Sequence, residues 1–454
     1  MKILLTVHQF FPKNTSGTEV LTYEFAKELL REGYEVKVFT ATPNASQEKD
    51  KDRFGTYVYD GIVVEQFFHN NKPMGDQSNQ WEMEYDNHLF YSYFLEYLKR
   101  EKPDIVHFFH LMNLSASAID ACHRLGIPTV FTPTDFWFIC PTFQLRLPDN
   151  STCPGPDKLG FNCLKHKLQI AKNYPKVRIL FNKIPDPFII QLILLARAGF
   201  TFHSKYLKMI DALSKRQDFL RKRINLIDRV LVPTQIVQTK LIQFGLQQDK
   251  IIQIPFGLNL SAFRNIHKRV QLNKLRIGFI GTISEPKGVH ILIEAIHKIE
   301  EPLLELKIYG NTEIDSFYSQ RIREIADNDP RIKFMGTFPN DEIGKVFASL
   351  DVLVVPSLWY ENSPLVIYSA QAAGCPVIAS DFAGLAEIVE HNKNGFLFQP
   401  GNIHQLQEEI NTLFKDRSLL NQLSNNAKKP LSMHDYAIIV LEIYKNLVSG
   451  GRAG

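Results

Sequence analysis

Glu361 stands as a lone carboxylate directly before Asn362, Ser363 and Pro364, at the entry to the apolar run PLVIYSAQAAG. Ser363 or Asn362 can cap a helix with Pro364 in its first turn, and Gly374 followed by Pro376 ends it. The free N–H groups at such a start, those of Leu365 and Val366, suit a diphosphate, because first-turn amides and the helix dipole both favour negative charge. The same residues would also make an ordinary cap on a core helix. A second phosphate element follows LRIGFIG, where Lys287 precedes Gly288 at the start of a helix in TISEPKGVHILIEA. Small residues let backbone approach a ligand, and the ammonium can reach phosphate oxygens. A solvated lysine leaves the same signature. The spacing is not that of the GxxxxGK(S/T) phosphate loop, and no GxGxxG follows the first strand, which disfavours a nicotinamide-dependent dehydrogenase.

Cys140, Cys153, Cys163 and His166 form C-x12-C-x9-C-x2-H. Three thiolates and an imidazole make an acceptable tetrahedral set for structural zinc, with reduced, unliganded thiols as the alternative. Five cysteines in all, an odd number, argue against a disulfide framework.

These groups must be positioned by strands alternating with helices. Ile3 to Val7 is an apolar strand, and TEVLTYEFAKELLREG after it spaces Leu21, Phe25 and Leu29 four residues apart before Gly33. YEVKVFT, DIVHFF, PTVFT, DRVLVPT and KIIQIPF supply further strands. After a polar stretch the pattern restarts with LRIGFIG, LELKIYG, RIKFMG, DVLVVPS, PVIAS and GFLF. The order implies two doubly wound parallel sheets, with ligands at the carboxyl ends of the strands in a shared cleft. Two domains are also what 454 residues with 44% hydrophobic and 22% charged content lead one to expect. The boundary is placed near Phe263 to Asn273. The expected division is 1–265, with a basic insert at about 140–225, then 272–430, with a terminal helix at 431–450 packing back toward the first domain.

The N-terminal MKILLTVHQFF is too short in its apolar part for a secretory signal, and FIIQLILLA falls short of the ~20 residues that cross a bilayer. A cytoplasmic location is expected. Residues 165–223 hold fourteen Lys and Arg against three Asp, a net charge of +11 in a chain carrying +4. Interleaved with FIIQLILLARAGF and YLKMI, this charge reads either as a face peripheral on an anionic inner membrane surface or as a solvated basic insert. No recognition motif accompanies it, so nucleic acid is not an expected partner.

FIGTISEPKGVHILIEA, followed by VPSLWYENSPLVIYSAQAAGCPVIASDFAGLAEIVEHNKNGFLF, resembles the nucleotide-binding half of family 4 retaining glycosyltransferases of the GT-B fold. ILLTVHQFFPKNTSGTE, DIVHFFHLMNLS and GIPTVFTPTDFWFICP are similar to the other half, so the likeness spans nearly the whole chain. It implies a nucleotide-diphosphate sugar, UDP- or GDP-linked, on the C-terminal domain and a saccharide or lipid-linked acceptor on the N-terminal one. Glu361 would contact donor-sugar hydroxyls, while Lys287 and Asn362 to Leu365 neutralise the diphosphate. Gly281 and Thr282 would line the loop before Lys287. Gly17 would let backbone approach the donor phosphates, and His110 and Asp135 would meet the acceptor. No cofactor or active-site metal is implied. Three positions differ from the family's pattern. Ser369 stands where a ribose-gripping Glu is usual, Thr282 where many members carry Arg, and Thr134 where a His is common. Loss of the charged ribose contact lowers nucleotide affinity by roughly 1 to 3 kcal/mol. The three differences motivate an alternative, a degenerate GT-B protein that binds or scaffolds without transfer. A sugar-nucleotide epimerase on the same architecture is a third reading.

Overall fold

The computed structural model describes residues 1–43, 53–69, 77, 79–147, 151–170, 184–198, 205–264 and 274–450. The chain divides into two compact units, one of Met1–Asp149, Cys153–Pro255 and Tyr436–Gly454, the other of Asn150–Thr152 and Phe256–Asp435. Of the expected boundary, residues 265–273 lie outside the described ones.

In the first unit, β1 (Lys2–Thr6), β2 (Glu35–Pro43), β3 (Phe54–Tyr59), β4 (Ile62–His69), β5 (Ile105–Phe108), β6 (Thr129–Phe131), β7 (Arg229–Val232) and β8 (Ile251–Gln253) form one sheet. Its order is β3-β4-β2-β1-β5-β6-β7-β8. All neighbours are parallel except the β3–β4 hairpin. That hairpin, absent from the expected elements, turns at Asp60 (φ 47°) and Gly61 (φ 79°), the two positive φ angles that match the twist of a tight hairpin. Strands such as β5 are apolar on both faces because helices cover both sides of the sheet.

One imidazole lies within that core. His107 on β5 is fully buried, with Nδ1 2.5 Å from Tyr444 Oη and Nε2 2.8 Å from Thr132 Oγ1. Burial lowers its pKa to about 3, so a neutral ring bridges β5, β6 and the terminal helix Met433–Ser449.

The second unit carries β9 (Leu275–Ile280), β10 (Leu304–Tyr309), β11 (Ile332–Gly336), β12 (Val352–Val355), β13 (Val377–Ser380) and β14 (Gly395–Phe398) in the order β11-β10-β9-β12-β13-β14. Every pairing is parallel. Leu275 and Ile277 of β9 pack in one apolar cluster with Val289 and Leu292 of the helix Val289–His297 and with Leu406 and Ile410 of the helix Ile403–Lys415.

Of the basic segment, 171–183 and 199–204 lie outside the described residues. The helices Phe161–Ile170, Asp186–Arg197 and Lys205–Ile224 bury Leu164, Leu168, Ile189, Ile193 and Ile210 together with Trp81. The opposite face of Asp186–Arg197 leaves Phe188 65% and Leu194 51% exposed. Among the described residues, no helix is long and apolar enough to cross a membrane.

Each sheet changes winding direction once, the first between β1 and β5 and the second between β9 and β12. A crevice opens beyond the strand ends at such a point, and the chemistry-bearing residues of both units follow these strands.

Candidate functional site

In the second unit, β9 runs through Gly281 and Thr282 into the single turn Glu285–Lys287, and β12 runs into Ser357–Glu361. The two loops are locked together. Leu358 N donates to Pro286 O at 2.7 Å, and Gly288 lies so close to Pro356 that a Cβ built on it would be 1.9 Å from the Pro356 oxygen. Gly288 also has φ +70°, a conformation that side chains with a Cβ resist.

The lock sets Lys287 against Glu361. Nζ donates to Glu361 Oε1 at 2.6 Å, and the ammonium lies over the Trp359 ring, 5.2 Å from its centroid. The same oxygen accepts from Ser357 Oγ at 2.7 Å and Trp359 Nε1 at 2.9 Å. Glu361 is only 5% exposed, so three donors on one oxygen hold the carboxylate rigidly. Oε2 makes no hydrogen bond among the described residues. Beneath the loop, a Cβ on Gly384 would lie 2.1 Å from the Glu361 carbonyl oxygen, so only glycine lets the chain pass there.

The helix Leu365–Ala372 begins where expected, but its capping differs. Pro364, expected in the first turn, occupies the N-cap position, and neither Ser363 nor Asn362 caps through its side chain. The Ser363 hydroxyl is instead paired with Tyr368 Oη at 2.8 Å. Ile367 N bonds to Pro364 O, leaving the amides of Leu365 and Val366 without a backbone partner among the described residues. Ser369 departs from its expected part in donor binding. It is buried, and its hydroxyl donates to Leu365 O at 3.0 Å, one turn back in the same helix.

In the first unit, His110 follows β5 and Asp135 follows β6. His110 Nε2 and Asp135 Oδ2 are 2.7 Å apart, Met112 N donates to His110 Nδ1 at 3.0 Å, and Trp137 N donates to Asp135 Oδ1 at 2.8 Å. The network therefore assigns a neutral His110 with its proton on Nε2. His110 was expected to meet the acceptor itself. It is buried with both nitrogens engaged, and Asp135, partly exposed, is the group it orients. Gly17 opens the helix Gly17–Arg31 at an exposed position.

Two members of this cluster escaped the sequence reading. The His8 ring lies 4.3 Å from that of His110, and His8 Nε2 is 3.4 Å from Oε1 of the fully buried Glu19. Burial raises the Glu19 pKa and holds that of His8 well below the usual imidazole value.

The three thiols are close enough for their charges to interact, but the candidate zinc ligand atoms do not converge on one point. Among the described residues, no three of Cys140, Cys153, Cys163 and His166 bring ligand atoms within 4.8 Å of one another. Cys140 Sγ is 3.2 Å from Thr142 Oγ1, Cys153 Sγ is 3.8 Å from Gly155 O, and burial raises the pKa of the Cys163 thiol. The buried Arg216 guanidinium donates to the carbonyls of Trp137 and Phe138, and its charge interacts with Glu84, Cys140 and Cys163. The residues do not fit zinc in this arrangement.

The fold as a whole resembles HepE of Anabaena, solved with UDP and glucose, with a TM-score of 0.62 at 18% identity over 98% of this chain and 99% of that one. The family description glycosyl transferases group 1 matches residues 263–430, and glycosyltransferase family 4 matches residues 15–150. The chain belongs to the family 4-like glycosyltransferases of the GT-B fold. Lys287 and Glu361 fall in the group 1 match, and Gly17, His110 and Asp135 in the family 4 match. Two relatives extend the likeness. An uncharacterized glycosyltransferase of Methanocaldococcus jannaschii is 31% identical over 218 residues, 44% of this chain and 55% of that protein. Phosphatidyl-myo-inositol mannosyltransferase of Mycobacterium leprae is 24% identical over 262 residues, 55% of this chain and 67% of that protein. The chain spans about half the length of the first curated relatives it matches, from 43% to 55%.

Proposed function

We propose that the chain transfers a hexose-type sugar from a UDP- or GDP-sugar to a saccharide or lipid-linked acceptor, with retention of anomeric configuration. The observation that carries this is the asymmetry of Glu361, whose Oε1 is held by Lys287, Ser357 and Trp359 while Oε2 has no hydrogen bond among the described residues. A carboxylate so fixed can grip sugar hydroxyls through its second oxygen. Lys287 and the amides of Leu365 and Val366 then take the diphosphate, which needs neither metal nor cofactor. As the glycosidic bond to phosphate breaks, the leaving phosphate oxygen accepts the acceptor hydroxyl's proton, and Asp135, oriented by His110, holds that hydroxyl.

A lipid-linked acceptor at an anionic, inner-leaflet surface is supported by the charge of 165–223, the exposed Phe188 and Leu194, and the lipid acceptor named for the mycobacterial relative. Labelled UDP- and GDP-sugars supplied with bacterial lipid extract or oligosaccharides test the function. Label entering an organic-soluble product, stimulated by phosphatidylglycerol but not phosphatidylcholine vesicles, is expected, and Phe188→Ser should weaken the stimulation. Label in a lengthened oligosaccharide would establish transfer but remove the membrane. No incorporation from either donor would remove the proposed function.

A further inference from the structure

The second unit holds a cavity that the donor cradle does not use. It measures about 400 Å³, within the range of pockets that take small organic ligands, and lies at the turn Ser261–Phe263, the C-terminal end of the helix Leu365–Ala372 and the segment after the helix Arg417–Asn425. Leu260, Phe263 and Pro430 give it an apolar wall. Arg264 and Lys429 bring two positive charges, and no carboxylate is among the described residues that line it. Neither cation is used by the fold. Lys428, one position before Lys429, is paired with Glu390, whereas the side chains of Arg264 and Lys429 make no hydrogen bond or ion pair among the described residues. Two polar groups complete the lining. Gln371, only 8% exposed, donates from Nε2 to Ile388 O at 3.2 Å, and its Oε1 accepts no hydrogen bond among the described residues. Ser424 Oγ donates to Gly374 O, which covers a carbonyl at the helix end and leaves the hydroxyl's lone pairs free to accept.

We propose that this cavity is a second ligand site, separate from the donor cradle, for a phosphomonoester on a compact polyol such as a hexose phosphate. Arg264 takes the phosphate through paired N–H donors, and Lys429 adds a point charge. The half-buried Phe263 ring covers the C–H face of the sugar, while Gln371 and Ser424 meet its hydroxyls. Inorganic phosphate engages the cations alone. The helix Leu365–Ala372 carries at its start the amides assigned above to the donor diphosphate and at its end this cavity, about 10 Å further along the axis. The site stands on its own geometry and does not depend on the transferase function.

Calorimetric titration of the full chain with mannose 6-phosphate and, separately, with inorganic phosphate tests the assignment. Mannose 6-phosphate should bind once per chain, about fivefold or more tighter than inorganic phosphate. Arg264→Gln combined with Lys429→Gln should weaken it about tenfold or more. Ala427→Phe, which fills the cavity and leaves both charges in place, should do the same. All three positions lie outside the strands and helices, so thermal unfolding of these variants should match wild type. Binding should survive Lys287→Ala, which removes the cradle's cation. Loss of binding in Lys287→Ala would assign the ligand to the donor cradle and overturn the second site. No binding of mannose 6-phosphate, equal affinity for inorganic phosphate, or unchanged affinity in either cavity variant would overturn it as well.

Discussion

Glu361→Gln lowers kcat/KM for sugar transfer by about 10² to 10³ while leaving UDP or GDP binding nearly unchanged. The carboxylate accepts from the Lys287 ammonium and concentrates three donors on Oε1. A neutral amide keeps the shape but loses the charge-assisted bonds, and its NH₂ cannot accept a proton from a sugar hydroxyl. The free nucleotide lacks that sugar and gains a lysine released from its ion pair. Parallel measurement of nucleotide affinity and transfer rate separates the two effects. Equal loss of both would mean that Glu361 supports the fold of the loop and does not address the sugar.

Gly288→Ala abolishes nucleotide binding and destabilises the second unit by on the order of 3 kcal/mol, ~6 to 12 °C in melting temperature for a unit of this size. Its φ of +70° and the 1.9 Å approach of a Cβ to the Pro356 oxygen leave the methyl group no room without parting the loops that follow β9 and β12. Lys287 would move with that separation. Gly17→Ala is the matched control, because a Cβ there meets nothing within 4 Å and its φ is not positive. Thermal unfolding of both variants checks the contrast. Equal, small effects would show that the lock between the loops is soft.

The legible parts of the molecule were those written in local pattern. Strands such as DVLVVPS and LRIGFIG are continuous apolar runs because both sheet faces are covered, and PLVIYSAQAAG carries its own start and stop signals. The hairpin Phe54–His69 was also legible, since Asp60-Gly61 between β-rich runs is a strong turn signal that went unread. Other features are tertiary. The Lys287–Glu361 pair joins residues 74 positions apart, and only the contact between Gly288 and Pro356 shows why they meet. Ser369 appeared to replace a ribose ligand by position, but a hydroxyl in mid-helix has a carbonyl one turn back within reach. The cysteine spacing suggested zinc because sequence could not show that, among the described residues, no three of the four ligand atoms come within 4.8 Å of one another.

The central claim is that Lys287 and Glu361 form a nucleotide-sugar cradle, and calorimetric titration of UDP and GDP into wild type and Lys287→Ala tests it most directly. One nucleotide should bind wild type and lose roughly 1.5 to 3 kcal/mol of affinity in the variant, the worth of a charged hydrogen bond to phosphate. Neither nucleotide binding wild type, or equal binding to both proteins, would contradict the account and leave a GT-B fold that binds or scaffolds without transferring sugar.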